Sequence, residues 1–104
     1  MKANSMIDGA TYSVFQLDHH WPQDDANEWF HQALIDGVIE SVNMGKYHNP
    51  NEPATIKFLK QEVLMTATTG DWVLKAEDGE IFALTTDDFD VMFSLEDSDG
   101  KTRP

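Results

Sequence analysis

Regular alternation of apolar and polar side chains predicts β-strands over much of this chain. Ala10–Leu17, Thr55–Lys60 and Val63–Thr68 alternate with a period of two, as expected of strands with one buried face. Only two residues separate the second run from the third. These two runs are therefore predicted to form a hairpin, in which Lys57 and Lys60 act as edge charges that discourage pairing with another chain.

A second hairpin is predicted closer to the C-terminus. The runs Trp72–Ala76 and Glu80–Leu84 flank a turn that contains Gly79, and glycine takes a positive φ without steric cost. A short helical turn, Asp87–Val91, is predicted to follow, with Thr86 as its cap. This turn directs two aromatic side chains towards the interior, Phe89 and Phe93.

The segment Ala26–Asp36 has the spacing of a helix. Asp24 or Asp25 can cap it, because a carboxylate accepts hydrogen bonds from the free amides of the first turn. Gly37 follows as a left-handed C-cap, and the β-branched segment Val38–Val42 then predicts another strand. The apolar stripe of the helix consists of Trp29, Phe30, Ala33 and Leu34.

These elements predict one α+β domain: a small, strongly bent antiparallel β-sheet with one main helix packed on it. A chain of 104 residues has the length of a single domain. Residues 10–95 are predicted to form this domain, residues 1–9 a flexible leader, and residues 96–104 a flexible acidic tail.

Charge narrows the choice of partners. Nineteen acidic residues face seven basic ones, which gives a net charge of −12. Direct binding to nucleic acid or to an anionic membrane is disfavoured, since both need a basic surface, and no apolar run is long enough to cross a bilayer. A protein with a basic surface is the natural partner, because opposite potentials speed association. The alternative is that the acidity only keeps a small protein soluble.

The residues that could support metal binding or catalysis do not form a recognisable motif. The histidines His19, His20, His31 and His48 lack the spacing of known zinc sites, and the chain has no cysteine, which excludes disulfides and fits a reducing cytoplasm. The carboxylates lie in predicted turns and solvated faces, without a nucleophile motif or phosphate-binding loop. We therefore expect a non-enzymatic protein without cofactors or metal.

The chain has a Gly-Asp-aromatic strand at Gly70–Lys75, a Gly-Glu-aromatic strand at Asp78–Phe82 and an Asp-x-Phe segment at Asp87–Phe89. In these segments it resembles a group of small phage and prophage proteins. These proteins share a Gly-Asp-aromatic strand, a Gly-Glu-aromatic strand and an Asp-x-Phe segment near the C-terminus. The chain departs from this pattern at Thr69, where the group often has proline, and it is more acidic. The group has no settled activity, so the resemblance implies only a phage origin and a small β-rich domain with one helix. The matching segments are Gly70–Lys75, Asp78–Phe82 and Asp87–Phe89, together with Phe15–Gln16, Trp29 and Asp36–Gly37.

We therefore predict a phage-encoded inhibitor that binds a host nucleic-acid-binding protein, such as a CRISPR–Cas, restriction or other defence complex, in the host cytoplasm. Its carboxylates would replace the phosphates of nucleic acid, as in a DNA mimic. Trp21, in a polar loop, is either a binding anchor or a cover over the end of the sheet. The alternative function is a structural or assembly module of a phage particle, which acts through homo-oligomerisation at a strand edge. The expected oligomeric state of the protein is a monomer or a homodimer. The predicted acidic binding residues are Asp24, Asp25, Glu28, Asp36, Glu40, Glu77, Asp78, Glu80, Asp87, Asp88 and Asp90.

Overall fold

A computed structural model describes residues 1–22 and 27–96 of the chain. Within these ranges the chain forms eight strands and two helices. In chain order the elements are β1 (Lys2–Ser5), β2 (Thr11–Gln16), α1 (Glu28–Ile35), β3 (Ile39–Val42), β4 (Thr55–Lys60), β5 (Val63–Thr68), β6 (Trp72–Lys75), β7 (Ile81–Leu84), α2 (Thr86–Met92) and β8 (Phe93–Glu96).

The α+β prediction is confirmed: all strand pairs are antiparallel, and one main helix, α1, packs against a sheet. Hydrogen bonding divides the strands into two sheets. The larger sheet has the strand order β7-β6-β2-β1-β8, and the smaller sheet has the order β3-β4-β5. The strands β5 and β7 lie close together but belong to different sheets.

Both predicted hairpins are confirmed. In the β4–β5 hairpin Lys60 pairs with Val63, so only Gln61 and Glu62 form the turn. Their φ angles of 50° and 69° are both positive, as a two-residue turn that follows the twist of the strands requires. In the β6–β7 hairpin the turn contains Gly79, whose φ is 93°. Side-chain alternation therefore places β4 and β5, and the turn at Gly79 places β6 and β7.

The prediction of a flexible leader is wrong for β1. This strand pairs with β2 on one side and with β8 on the other, and Ala3 is fully buried. The segment has too few apolar residues to show a periodic pattern, so only its backbone pairing makes it a strand. At the other end, Glu96 belongs to β8 and not to the predicted tail, while residues 97–104 lie outside the described part of the chain.

Helix α1 begins at Glu28, two residues later than predicted. Asn27 occupies the N-cap position, but its buried side chain does not cap the helix. Its Nδ2 donates to the Val14 carbonyl of β2 at 3.0 Å, and its Oδ1 accepts from Trp29 Nε1 at 3.2 Å. The bond to Val14 ties the start of α1 to the larger sheet, and the bond from Trp29 fixes the Asn27 side chain against the first turn of the helix. The predicted capping role of Asp24 or Asp25 falls on residues outside the described ranges.

The larger sheet has a core on each of its two faces. Phe15 of β2 and Val73 of β6 point towards α1 and the smaller sheet, in a cluster that includes Phe30. Their neighbours Val14 and Leu74 point to the other face, where they pack with aromatic residues of α2 and β8. The larger sheet is therefore a middle layer, and α1 and α2 lie on opposite sides of it.

Helix α2 is held by its aromatic side. Phe89 is 2% exposed, and its ring stacks on Trp72 with centroids 4.1 Å apart. Phe93 is also buried, which confirms the predicted inward direction of both phenylalanines. The predicted cap at Thr86 is wrong: Thr85 is the N-cap, and its hydroxyl accepts from the Asp88 amide. The helix starts one residue earlier than predicted, so the cap also lies one residue earlier.

Candidate protein-binding surface

Helix α2 displays three of the predicted acidic residues. Asp87, Asp88 and Asp90 are all exposed, while Phe89 between them is buried. Successive helical residues are about 100° apart, so these carboxylates spread over the side of the helix opposite Phe89. Among the described residues none of the three has a cationic partner within ion-pair distance. The helix therefore presents unneutralised negative charge on a fixed scaffold.

Val91 adds an apolar side chain to this acidic side of α2. It lies one helical turn after Asp87 and is 76% exposed. By helical geometry it projects between the directions of Asp87 and Asp88. The sequence interpretation placed Val91 in the right helical turn but did not single it out. Its spacing of four residues from Asp87 was the available signal.

The β1–β2 turn extends this surface at the C-terminal end of α2. The Met6 amide donates to the Met92 carbonyl at 2.9 Å, which fixes the turn beside the helix. Met6 and Ile7 are 57% and 79% exposed. Asp8 follows them, and hydrogen bonds from the Ala10 amide and then the Ser5 hydroxyl lower the pKa of its carboxyl group.

We define the α2 surface as these seven exposed residues, which combine four carboxylates with three apolar side chains. Sequence reasoning missed the part in the β1–β2 turn, because it assigned residues 1–9 to a flexible leader. The backbone pairing of β1 is what brings this turn to α2. The α2 surface consists of Met6, Ile7, Asp8, Asp87, Asp88, Asp90 and Val91.

The acidic residues of the β6–β7 hairpin form a separate group. Glu77 and Asp78 are exposed in its turn. The four residues of β7 separate this turn from α2 by about 13 Å of extended chain. Glu80 forms an ion pair with Lys60, whose Nζ also lies 3.6 Å from the centroid of the Phe82 ring. The charge of Glu80 is therefore largely neutralised, and this group contributes less negative potential than the sequence predicts.

The predicted acidic residues of α1 and β3 lie elsewhere. Glu28 and Asp36 are exposed at the two ends of α1, which packs on the opposite face of the larger sheet from α2. Glu40 is exposed on β3, paired in register with Lys57 of β4. The described acidic residues therefore do not lie on one continuous surface. Asp24 and Asp25 lie outside the described residues.

Trp21 packs back onto the core. Its ring centroid lies 6.2 Å from that of Phe30 and the same distance from that of His31. Gly45 lies against the indole, and a Cβ at that position would be 2.8 Å from Trp21 Nε1. The side chain is half-buried by these contacts. This geometry favours the role of a cover over the end of the sheet.

Three histidines that are distant in the sequence meet near Trp21. The His19 ring stacks on that of His48 with centroids 4.6 Å apart, and His20 meets His48 edge-on at 5.4 Å. His19 Nε2 lies 2.6 Å from the Glu52 carbonyl and His48 Nδ1 lies 2.7 Å from the Gly45 carbonyl, so both nitrogens donate. Within residues 1–22 and 27–96, no three metal-binding side chains are placed to hold an ion. These contacts organise the loops.

Two open cavities adjoin each other between α1 and the two hairpins, and they share Val38, Gly79 and Ile81. One of about 310 Å³ has Lys60 and Glu80 as its ionisable groups, and these are paired with each other. The other, of about 260 Å³, is lined by apolar residues of α1 and β7 together with Val38, Gln32, Asp36 and Lys75. The ionisable groups of each cavity are one lysine and one carboxylate.

Comparisons with known proteins found no matching family model, no similar curated protein and no similar solved structure. The resemblance to phage proteins therefore stays a prediction. Neither described helix is long and apolar enough to cross a membrane.

Proposed function

We propose that this protein is a non-enzymatic inhibitor that binds a nucleic-acid-binding protein through its α2 surface. The observation that carries the proposal is the exposure of Asp87, Asp88 and Asp90 around Val91, on a helix that Phe89 anchors in the core. The phage origin implied by the sequence resemblance makes a bacterial defence complex or another host nuclease the class of target, and the host cytoplasm the place of action.

The carboxylates of the α2 surface suit a basic groove that normally holds phosphates. A chain with a net charge of −12 is attracted to such a groove over long distances, which speeds encounter. Asp87, Asp88 and Asp90 can then accept hydrogen bonds from lysine and arginine side chains of the partner. Because α2 is packed rigidly through Phe89, little conformational freedom is lost when these bonds form.

The apolar residues of the α2 surface supply a contribution that salt does not screen. Val91 and Ile7 are exposed by 76% and 79%, and their burial against a partner would remove apolar area from water. Stable interfaces commonly have such an apolar centre with charged residues at the rim. We therefore expect affinity for the partner to fall with salt but to retain a salt-independent part.

The test is capture of partners from bacterial lysates with tagged protein. The charge-reversed variant Asp87→Lys/Asp88→Lys is compared with Glu28→Lys/Asp36→Lys, which changes the net charge equally but on the opposite side of the larger sheet. We expect the unmodified protein and the α1 variant to retain a nucleic-acid-binding protein. We expect the α2 variant to lose it at least about tenfold. Equal capture by both variants would show that total charge, and not the α2 surface, determines binding.

A further inference from the structure

A small open cavity lies on the α1 side of the larger sheet, where β1, β2 and β6 run side by side. The strand registers place Lys2 of β1 opposite Ser13 of β2, and Ser13 opposite Lys75 of β6. These side chains share the face of Phe15 and Val73, because alternate residues of a strand point to the same side. The cavity has a volume of about 190 Å³ and is lined by both lysines and the serine. We call it the Lys75 pocket.

The lysines of the Lys75 pocket have no anionic partner. Among the side chains that the structure describes, no carboxylate lies within ion-pair distance of either ammonium group. Lys2 has Glu96 of β8 as its register partner on the side away from Ser13. Lys75 is half-buried, and its register partners are the uncharged residues Ser13 and Ile81. In a chain with 19 acidic residues, the Lys75 pocket thus combines uncompensated positive charge with space for an anion.

The side chains around the Lys75 pocket supply both hydrogen-bond donors and an acceptor. Directly opposed residues of neighbouring strands are about 5 Å apart, so Lys2 and Lys75 flank Ser13 and are about 10 Å from each other. Their flexible four-carbon stems allow both ammonium groups to donate to one anion above the Ser13 hydroxyl. Glu77 also lines the pocket, and a carboxylate only accepts hydrogen bonds. An anion that fits must therefore accept from three donors and also donate to Glu77.

We propose that the Lys75 pocket binds inorganic phosphate in its hydrogen phosphate form. At neutral pH this anion keeps a P–OH group, which donates to Glu77, while its other oxygens accept from Lys2, Ser13 and Lys75. Sulfate has the shape and charge of the phosphate dianion but carries no proton, so Glu77 repels it. The net charge of −12 does not prevent binding, since charges beyond about 8 Å are screened at physiological salt.

The test is a titration of isotope-labelled protein with phosphate, followed by amide NMR shifts at constant ionic strength. We expect saturable shifts at Ser13, Lys75 and Ala76, with a dissociation constant of about 0.1–1 mM, because the pocket is open to solvent. Lys75→Met keeps an apolar stem and should weaken binding at least about tenfold. Lys57→Met is the matched control, since it removes the same charge at an exposed position of β4, and it should bind like the unmodified protein. The spectra also show whether both variants are folded.

Sulfate and a phosphate monoester test the role of Glu77. At about pH 8, hydrogen phosphate, sulfate and phenyl phosphate are all dianions, but only hydrogen phosphate carries a proton. We expect the other two to bind at least about tenfold more weakly. Glu77→Gln should remove this preference, because a neutral amide does not repel an anion that lacks a proton. Glu62→Gln, in the turn of the β4–β5 hairpin, removes the same charge and should keep the preference.

Several results would overturn the proposal. These are the absence of saturable shifts in the pocket at about 20 mM phosphate, equal binding by Lys75→Met and Lys57→Met, and a preference for phosphate that survives Glu77→Gln. Tighter binding of phenyl phosphate than of inorganic phosphate would also overturn it, because the pocket would then hold a larger phosphorylated ligand. The Lys75 pocket and α2 lie on opposite faces of the larger sheet. Lys75→Met should therefore retain partner capture, and Asp87→Lys/Asp88→Lys should retain phosphate binding.

Discussion

Replacement of Phe89 by alanine tests whether partner binding depends on the position of α2 or only on its negative charge. Phe89 is 2% exposed, and its ring is stacked between Trp72 at 4.1 Å and Phe93 at 5.4 Å. The substitution leaves every carboxylate of the α2 surface in the sequence. It removes the side chain that fixes the helix to the larger sheet.

The expected cost follows from this burial. Truncation of a fully buried phenylalanine removes its transfer free energy and leaves a cavity, for a total of about 3–5 kcal/mol. We expect the upper half of this range, because the cavity would lie between two flat rings that cannot close on it without leaving the sheet. Domains of this size have a total free energy of unfolding of about 5–15 kcal/mol. Helix α2 has only seven residues and cannot persist without tertiary packing.

Urea unfolding and hydrogen exchange measure this effect. With an m-value of about 1.5 kcal/mol/M, a loss of about 4 kcal/mol lowers the unfolding midpoint by about 2.7 M. Where α2 opens locally, amides from Thr85 to Glu96 should lose exchange protection before the β4–β5 hairpin does. Partner capture should fall although the net charge is unchanged.

Val91→Ala is the control on the same helix. Val91 is 76% exposed, so this substitution should change the free energy of unfolding by less than about 0.5 kcal/mol. If Phe89→Ala destabilises the protein no more than Val91→Ala, then the stack does not hold α2. If Phe89→Ala destabilises the protein but leaves capture intact, binding does not depend on the position of the helix.

Two further predictions concern stability. Asn27→Ala should lower the free energy of unfolding by about 2–3 kcal/mol, because it removes the hydrogen bonds to the Val14 carbonyl and the Trp29 indole in a buried environment. The control is Gln32→Ala at an exposed position, which should lower the free energy of unfolding by less than about 0.5 kcal/mol. Asp8→Asn should lower the urea midpoint at pH 7. The folded protein depresses the pKa of Asp8, so the carboxylate stabilises the fold above the unfolded pKa of about 3.9, and this contribution disappears as the pH falls through the folded pKa. The midpoints of Asp8→Asn and the unmodified protein should therefore converge in acid; a constant difference would contradict the assignment.

The pattern of apolar and polar residues predicted an element correctly wherever one face of that element is buried. The period-two runs of β4 and β5 gave their bounds as the structure has them, since a shift by one residue would expose Ile56 and Phe58. The burial of Phe89 in α2 and of Phe93 at the start of β8 was also predicted from the sequence. By contrast, the short polar segment Lys2–Ser5 has no such pattern. Its strand exists because β2 and β8 complete its backbone hydrogen bonds.

For the candidate site too, the sequence predicted one part and the tertiary structure decided the rest. The sequence alone established the acidity of the chain and the cluster of acidic residues around Phe89. It also predicted that these acidic residues are exposed, because Phe89 points into the core. Only the tertiary structure decided which acids act together. It brought Met6 and Ile7 to α2, paired Glu80 with Lys60, and placed α1 on the far side of the larger sheet. Side-chain periodicity reports burial within one element, whereas the grouping of exposed charges depends on how distant elements pack, and exposed residues leave no periodic trace of that packing.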